Sequence, residues 1–400
     1  MKIAIIGGGA SGLMAGGFLV EKGHEVTIFD ANEKCGKKIY ITGKGRCNLT
    51  NNCDTQTYLS NVVNGEKFMF SAINGFSTAD TINFFEGMGL KLKTERGNRV
   101  FPQSDKASDV TKALLSHCKG CKFQLNTLIT AVVKKGEQFV LYSQNNQFTF
   151  DKLIIATGGK SYPATGSKGD GYKFAQMFGH NIIKPRPALV PIKIKDKFVS
   201  QLEGLSLKNV SLNCAFNGKT KQMFGEMLFT ADAISGPIAL SLSSYISQAQ
   251  HISLSIDLKP ALSQEQLEAR LLRDFSVNLN KNISHVIKGL MPNRLVEVFL
   301  NKLNLDSTTK VNAIKVEQRK NIVAHLKNFP LEFGGLYGVE AGIVTGGGVD
   351  LKEVSPKTME SKLCEGLYFI GEVLDIDCLT GGFNLQTAFS TAYACAKGIN

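Results

Sequence analysis

Gly7, Gly9 and Gly12 stand at the spacing G-x-G-x-x-G directly behind the apolar run Ile3-Ala-Ile-Ile6, and Asp30 follows 18 residues after the third glycine. Residue types in this pattern suit the diphosphate of a dinucleotide. Gly7 permits a tight turn out of a strand, Gly9 leaves the backbone open to a pyrophosphate, and Gly12 lets the next helix press on the sheet. Ala10 and Ser11 sit at that helix's N-terminus, where free N–H groups attract anions. Asp30, with Ala31 behind it, is placed to accept a hydrogen bond from a ribose hydroxyl. A second set lies in Glu33–Asn52, which holds four Lys, one Arg and three Gly in 20 residues. Its Lys37, Lys38 and the run Gly45-Arg46-Cys47-Asn48-Leu49 combine cations with exposed backbone, a combination that clamps an anionic ligand. A third set closes two further apolar runs and opens a helix: Ala156-Thr157-Gly158-Gly159, Gly371-Glu372 with Asp377, and Gly381-Gly382-Phe383-Asn384-Leu385.

These residues need a parallel α/β sheet to position them. Ile3–Ile6 lacks polar alternation and reads as a strand buried on both faces. A helix over 10–22, capped by Gly23, leads to a second strand, Glu25–Asp30. Helices are expected within 66–92 and over 108–118. The segments at 128–133, 138–142 and 147–150 alternate and have polar turns between them, the pattern of an antiparallel meander. Pro185, Pro187 and Pro191 mark a linker. Beyond it, 190–262 is strand-like and 263–329 is helical in composition. The last 60 residues return to buried strands ending in glycine and finish in a helix over 385–397. The fold class is therefore α/β: a Rossmann-like domain made of 1–189 and 341–400, interrupted by a β-rich piece (190–262 and about 330–340) and a small helical piece (263–329).

The bulk numbers narrow the function. The chain has 400 residues and a net charge of +12, with 46 Lys and Arg against 34 Asp and Glu. Basicity admits nucleic acid or an anionic small molecule, but there is no dense Lys/Arg cluster interleaved with aromatics, so no motif indicates nucleic acid. No apolar run reaches the length of a membrane span, so no membrane partner is expected. Residues 3–6 are too short for a signal peptide, and the expected location is cytoplasmic. The nine cysteines are expected as free thiols. Cys118 and Cys121 form a C-x-x-C with no second pair at zinc-ribbon spacing, and no metal site is expected. Oligomeric state is not legible.

With these stretches placed, the chain resembles FAD-containing oxidoreductases of the glutathione-reductase type. More narrowly, it resembles the BaiN/YhiN-like family of bacterial FAD-dependent oxidoreductases. The matching stretches are Gly7–Gly12, Gly36-Lys-Lys-Ile…Gly45-Arg-Cys-Asn-Leu-Thr-Asn51, Arg99-Val-Phe-Pro, Ala156–Gly171, Gly225-Glu-Met-Leu-Phe-Thr, Thr358–Lys362 and Gly371-Glu-Val-Leu-Asp-Ile-Asp…Thr-Gly-Gly-Phe-Asn-Leu385. The resemblance implies non-covalent FAD and redox activity. It implies that the backbone near Ile129 and Thr130 meets the adenine, and that Gly381–Leu385 faces the isoalloxazine. No second G-x-G-x-x-G follows a strand, so NAD(P)H is expected only as a transient donor over the flavin. The expected substrate is a small molecule. The alternatives are a flavoenzyme acting on RNA and a non-enzymatic flavin-binding redox sensor. No general acid or base is named, and Cys47 and Cys378 are expected as inert thiols near the ring. Two positions depart from the family. Where relatives usually place His after Phe229-Thr230, this chain has Ala231-Asp232, and where they place Gly after Asp377 it has Cys378.

Overall fold

The computed structural model describes residues 1–144 and 146–400. The chain divides into two compact units, 1–188 with 338–400, and 189–337.

The first unit is organised around a five-stranded parallel sheet. β1 (Lys2–Ile6) lies at its centre and is followed by α1 (Ala10–Glu21) and β2 (Glu25–Phe29). In order across the sheet come 367–369, 152–155, β1, β2 and 122–124. Ile3 pairs with Val26 on one side and Lys152 on the other, and Ile6 pairs with Phe29 and Ile155. Ile3, Ala4 and Ile5 are fully buried, which is why the run carries no polar alternation. α1 packs closely on this sheet and on the helix Ala107–His117: a Cβ on Gly16 would lie 2.8 Å from Ile28 of β2, and one on Gly17 2.0 Å from the His117 ring. The meander forms as expected, with 138–143 between 131–135 and 146–150. The expected helical stretch 66–92 is two helices, Glu66–Gly75 and Thr78–Gly87. A capping box at Ser77 and Asp80 starts the second.

The expected linker is instead a strand. Ile182–Ala188 pairs antiparallel with Val344–Val349, Pro187 opposite Thr345, with a register shift between Ile183 and Arg186 that accommodates Pro185. Proline lacks an N–H but fits a two-stranded ribbon at such an irregularity.

The second unit is a seven-stranded antiparallel sheet in the order 329–331, 253–257, 206–216, 219–229, 233–235, 192–194, 333–336. The helices Gln264–Ser276, Ile283–Ile287, Asn293–Lys302 and Val316–Lys327 belong to the same unit. Sheet residues such as Leu212, Phe229 and Phe329 and helix residues such as Leu271, Phe299 and Val323 form one apolar cluster. The β-rich 190–262 and the helical 263–329 therefore share a core. Within the strand-like 190–262, a short strand, 233–235, is followed by a helix, Pro237–Ile246, with the proline in the first turn.

Candidate functional site

The turn between β1 and α1 separates its three glycines by role. A Cβ on Gly7 would stand 2.3 Å from the Ala156 carbonyl, and one on Gly12 would stand 1.9 Å from the Gly7 carbonyl, so packing alone requires both. A Cβ on Gly9 would meet nothing within 4 Å. Gly9 caps α1 without any side-chain hydrogen bond, leaving the first-turn N–H groups facing open space. That is the cradle a pyrophosphate needs, and the residues fit a dinucleotide. Asp30 sits beside it. Its Oδ2 accepts the Gly8 N–H at 2.9 Å, while Oδ1 accepts from the Asn32 N–H and Nδ2, both at 2.8 Å. The carboxylate is thus aimed by the turn itself and keeps acceptor capacity for a ribose hydroxyl. Ala31 is exposed next to it.

The strand ends converge on the same place. Ser11 is buried under Gly371, where a Cβ would fall 2.6 Å from its Oγ. Ala156 and Thr157 lie against Gly7, and Gly158 adopts φ +73°. A Cβ on Gly159 would meet Thr345 at 2.4 Å and Glu372 at 3.0 Å. Glu372 anchors a polar network: Lys38 Nζ reaches its Oε2 at 2.7 Å, while Ser161 Oγ and the Thr345 N–H reach its Oε1 at 2.8 and 2.9 Å. Lys38 also donates to Ser161 at 2.6 Å. Ser161 and Thr345 are members that sequence reasoning did not single out. The one signal for Ser161 was its place in the glycine-rich run after Gly159.

The cationic loop is less uniform than its composition suggests. Lys37 turns back to Glu33, 2.7 Å away and four residues earlier in the chain. Arg46 pairs with Glu95 and, at 2.7 Å, with Asp105, and lies 4.2 Å over the Phe101 ring. Its charge therefore holds the loop to the neighbouring hairpin. Cys47 is buried at φ +59°, and burial pushes its thiol up to about 12. The Asn48 Oδ1 is buried with no hydrogen-bond partner, an orphaned acceptor in the loop between Gly45 and Leu49. Buried acceptors are nearly always satisfied, and this one is available to a donor on a bound group.

The C-terminal stretch is locked to the N-terminal half. Asn51 Nδ2 donates to the Gly381 carbonyl at 3.0 Å. Gly382, at φ +99°, caps the last helix, Phe383–Gly398, without a side-chain bond; a Cβ there would be 2.3 Å from the Thr50 carbonyl oxygen. Asn384 closes the preceding loop on Cys378, accepting its N–H and donating to its carbonyl, both at 3.0 Å. Leu385 is half-buried one residue further on. Burial pushes the Cys378 thiol to about 12. Arg186, which the sequence hid between two prolines, bridges Asp375 at 3.2 Å and Asp377 at 3.0 Å. Burial raises the Asp377 carboxyl to about 6 against the pull of Arg186. One expected contact fits less well: the Thr130 N–H donates to the Tyr142 carbonyl at 2.8 Å, so it serves the meander rather than standing free for an adenine. Ile129 is buried beside it.

The HI0933-like protein Rossmann domain family matches residues 1–398. The chain is 34% identical to a ribosomal RNA dihydrouridine synthase of Haemophilus influenzae, over 99% of this chain and 98% of that one. It is 31% identical to a protein of the same name from Escherichia coli, over 99% and 97%. It is 30% identical to a 3-dehydro-bile acid delta(4,6)-reductase of Clostridium scindens, over 99% and 98%. Among solved structures, a 3-ketosteroid-delta4-(5alpha)-dehydrogenase from Rhodococcus jostii aligns with a TM-score of 0.52 at 12% identity, over 99% of this chain and 97% of that one, a likeness of fold. No helix among the described residues is long and apolar enough to cross a membrane. The chain belongs to the HI0933-like family, the BaiN/YhiN-like FAD-dependent oxidoreductases.

Proposed function

We propose that the protein reduces a carbon–carbon double bond conjugated to a carbonyl, with NAD(P)H as transient donor, and that the bond lies in a uracil ring of ribosomal RNA in the cytoplasm. The observation that carries this is whole-length likeness, at 34% and 31% identity, to two proteins named as ribosomal RNA dihydrouridine synthases. The net charge of +12 supports a polyanionic substrate over the neutral small molecule. Saturating the ring adds one hydride and one proton across the bond, and the two electrons come from the nicotinamide. Bound FAD supplies the hydride transfer. The chain supplies binding and field: the uncapped first turn of α1 and Gly9 suit the pyrophosphate, Asp30 the adenosine ribose, and the Asn48 carbonyl a donor on the ligand. The Lys38–Glu372–Ser161 network fixes the Gly371 turn. The uncapped N-terminus at Gly382–Leu385 suits the negative pyrimidine edge of a reduced flavin.

A second reading has its own support. The relative at 30% identity is named as a reductase of a conjugated bile acid, so a small enone is the rival substrate. The test is to incubate the protein and NADPH or NADH with ribosomal RNA from cells lacking dihydrouridine-forming enzymes, then digest the RNA and quantify dihydrouridine by mass spectrometry. The expected result is dihydrouridine formed over many turnovers. NAD(P)H oxidation driven by a steroid enone, with the RNA unchanged, would replace the RNA reading with the small-molecule one.

A further inference from the structure

One stretch of the second unit carries a large share of its positive charge. Residues 278–320 carry eight Lys and Arg against three acids, Glu297, Asp306 and Glu317. Three of the eight are engaged elsewhere: Lys302 with Asp196 at 2.7 Å, Arg319 with Glu268 at 3.7 Å, and Arg294 with the Gln201 carbonyl. The remaining five, Lys281, Lys288, Lys310, Lys315 and Lys320, are exposed and make no ion pair among the described residues.

The fold brings part of this set together across a gap in sequence. The segment before helix Ile283–Ile287 runs antiparallel to 307–312: Ile283 N–H donates to the Thr309 carbonyl, Val311 N–H to Lys281, and Asn312 N–H to Leu279. Lys310 Nζ therefore lies 2.9 Å from Asn282 Oδ1, beside Lys281, whose own Nζ is 3.2 Å from the His285 ring. Lys288 follows His285 by three residues, one helical turn further along. Around these cations the paired segments present Asn280, Asn282, Ser284, Thr308 and Asn312, side chains that hydrogen-bond phosphate oxygens. Phe299, the one Phe, Tyr or Trp in 278–320, is fully buried, so among ring side chains only the exposed His285 is left to stack on a splayed base.

We propose that this paired-segment face, centred on Lys281, Lys288 and Lys310, is the docking surface for the phosphate backbone of folded RNA. It holds a structured RNA by shape and charge, without reading bases. This rests on the ribosomal RNA reading of the function and adds to it the place where the substrate is gripped outside the flavin unit.

The test measures binding of the full flavin-loaded chain to labelled ribosomal RNA between 50 and 300 mM salt. The variants are the triple Lys281→Gln, Lys288→Gln, Lys310→Gln and, as an equal change of net charge, the triple Lys67→Gln, Lys91→Gln, Lys119→Gln on exposed positions of the first unit. The wild type should show a steep log–log salt slope. The first triple should flatten it by about 2–3 and weaken binding at least tenfold at 150 mM, since each lost phosphate contact removes about one unit of slope. Replacing the same three residues by Arg should keep the slope, and flavin content and melting temperature should match the wild type in all variants. Equal flattening by both triples, or none by the first, overturns the surface while RNA binding by the wild type leaves the function standing. No salt-dependent binding by the wild type, or preference for anionic lipid vesicles over RNA, overturns the surface and the RNA reading together.

Discussion

At the scale of single residues, Asp30 does two things at once. It receives the Gly8 and Asn32 N–H groups and presents the remaining lone pairs to the ligand side of the turn. Asp30→Ala is expected to lower FAD affinity about tenfold to a hundredfold, the loss of a hydrogen bond to a charged group, roughly 1.5–3 kcal/mol. Titration of the apoprotein with FAD checks it, and an unchanged dissociation constant would remove Asp30 from the ribose. Asp377 makes a pH-dependent prediction. Its carboxyl is raised from 3.8 to about 6 because burial disfavours its charge. The native state then holds this proton more tightly than the unfolded chain, so the group's stabilisation is full below about pH 4 and is lost as pH rises through 6. Asp377→Asn keeps an acceptor for Arg186 and removes the titration. Relative to wild type the variant should gain stability between pH 4 and pH 7, by up to about 3 kcal/mol. Urea unfolding at both pH values measures this, and an equal difference at each would show that Asp377 ionises normally. Cys47 and Cys378 are fully buried, and burial holds both thiols up near 12.

At the scale of elements, the β1–α1 turn separates packing from ligand contact. Gly12→Ala would drive a methyl into the Gly7 carbonyl and should destabilise the chain with or without FAD. Gly9→Ala meets no protein atom within 4 Å and has an ordinary φ of −82°, so the apoprotein should melt as wild type does. FAD affinity should nevertheless fall, because the methyl occupies the space a diphosphate enters. Thermal melts with and without FAD compare the two; a Gly9→Ala protein that binds FAD normally would place the pyrophosphate elsewhere. The last helix cannot be tested by putting a carboxylate on Gly382, since φ +99° and the Thr50 backbone exclude any side chain there. Its N-terminus is instead held by Asn51 and by the buried Gln386, which receives the Thr50 hydroxyl at 2.6 Å and donates to the Phe76 and Ser77 carbonyls.

At the scale of the whole molecule, each unit has its own apolar cluster, one centred on the parallel sheet and one shared by the antiparallel sheet and the helices. The glycine turn, Asp30 and Glu372 all lie in the first. Calorimetry of the apoprotein should therefore resolve two transitions. Excess FAD should raise only one of them, by about 2.7 kcal/mol of stabilisation at 100 times its dissociation constant. A single transition that shifts as a whole would show that the units unfold as one. Proteolysis should spare 182–190, where the prolines lie in a paired strand and the Leu189 and Val190 N–H groups are held by Ser244 and Ser243.

What the sequence determined is whatever depends on neighbours a few residues apart. The glycine spacing, the buried Ile3–Ile6 run, the alternation of the meander and the helical composition of 263–329 are patterns that the chain carries locally. What only the tertiary structure decided is which distant groups meet. Lys37 and Lys38 are adjacent and alike, yet one pairs with Glu33 four residues away and the other with Glu372, 334 residues away. Arg46 looked like a ligand clamp until Glu95 and Asp105 lay within its reach. Pro185 and Pro187 looked like a linker until Val344–Val349 supplied a partner strand with the right irregularity. Side-chain charge and turn propensity are properties of a residue, but the partner that uses them is a property of the closed chain. No local pattern encodes a contact whose two halves are hundreds of residues apart.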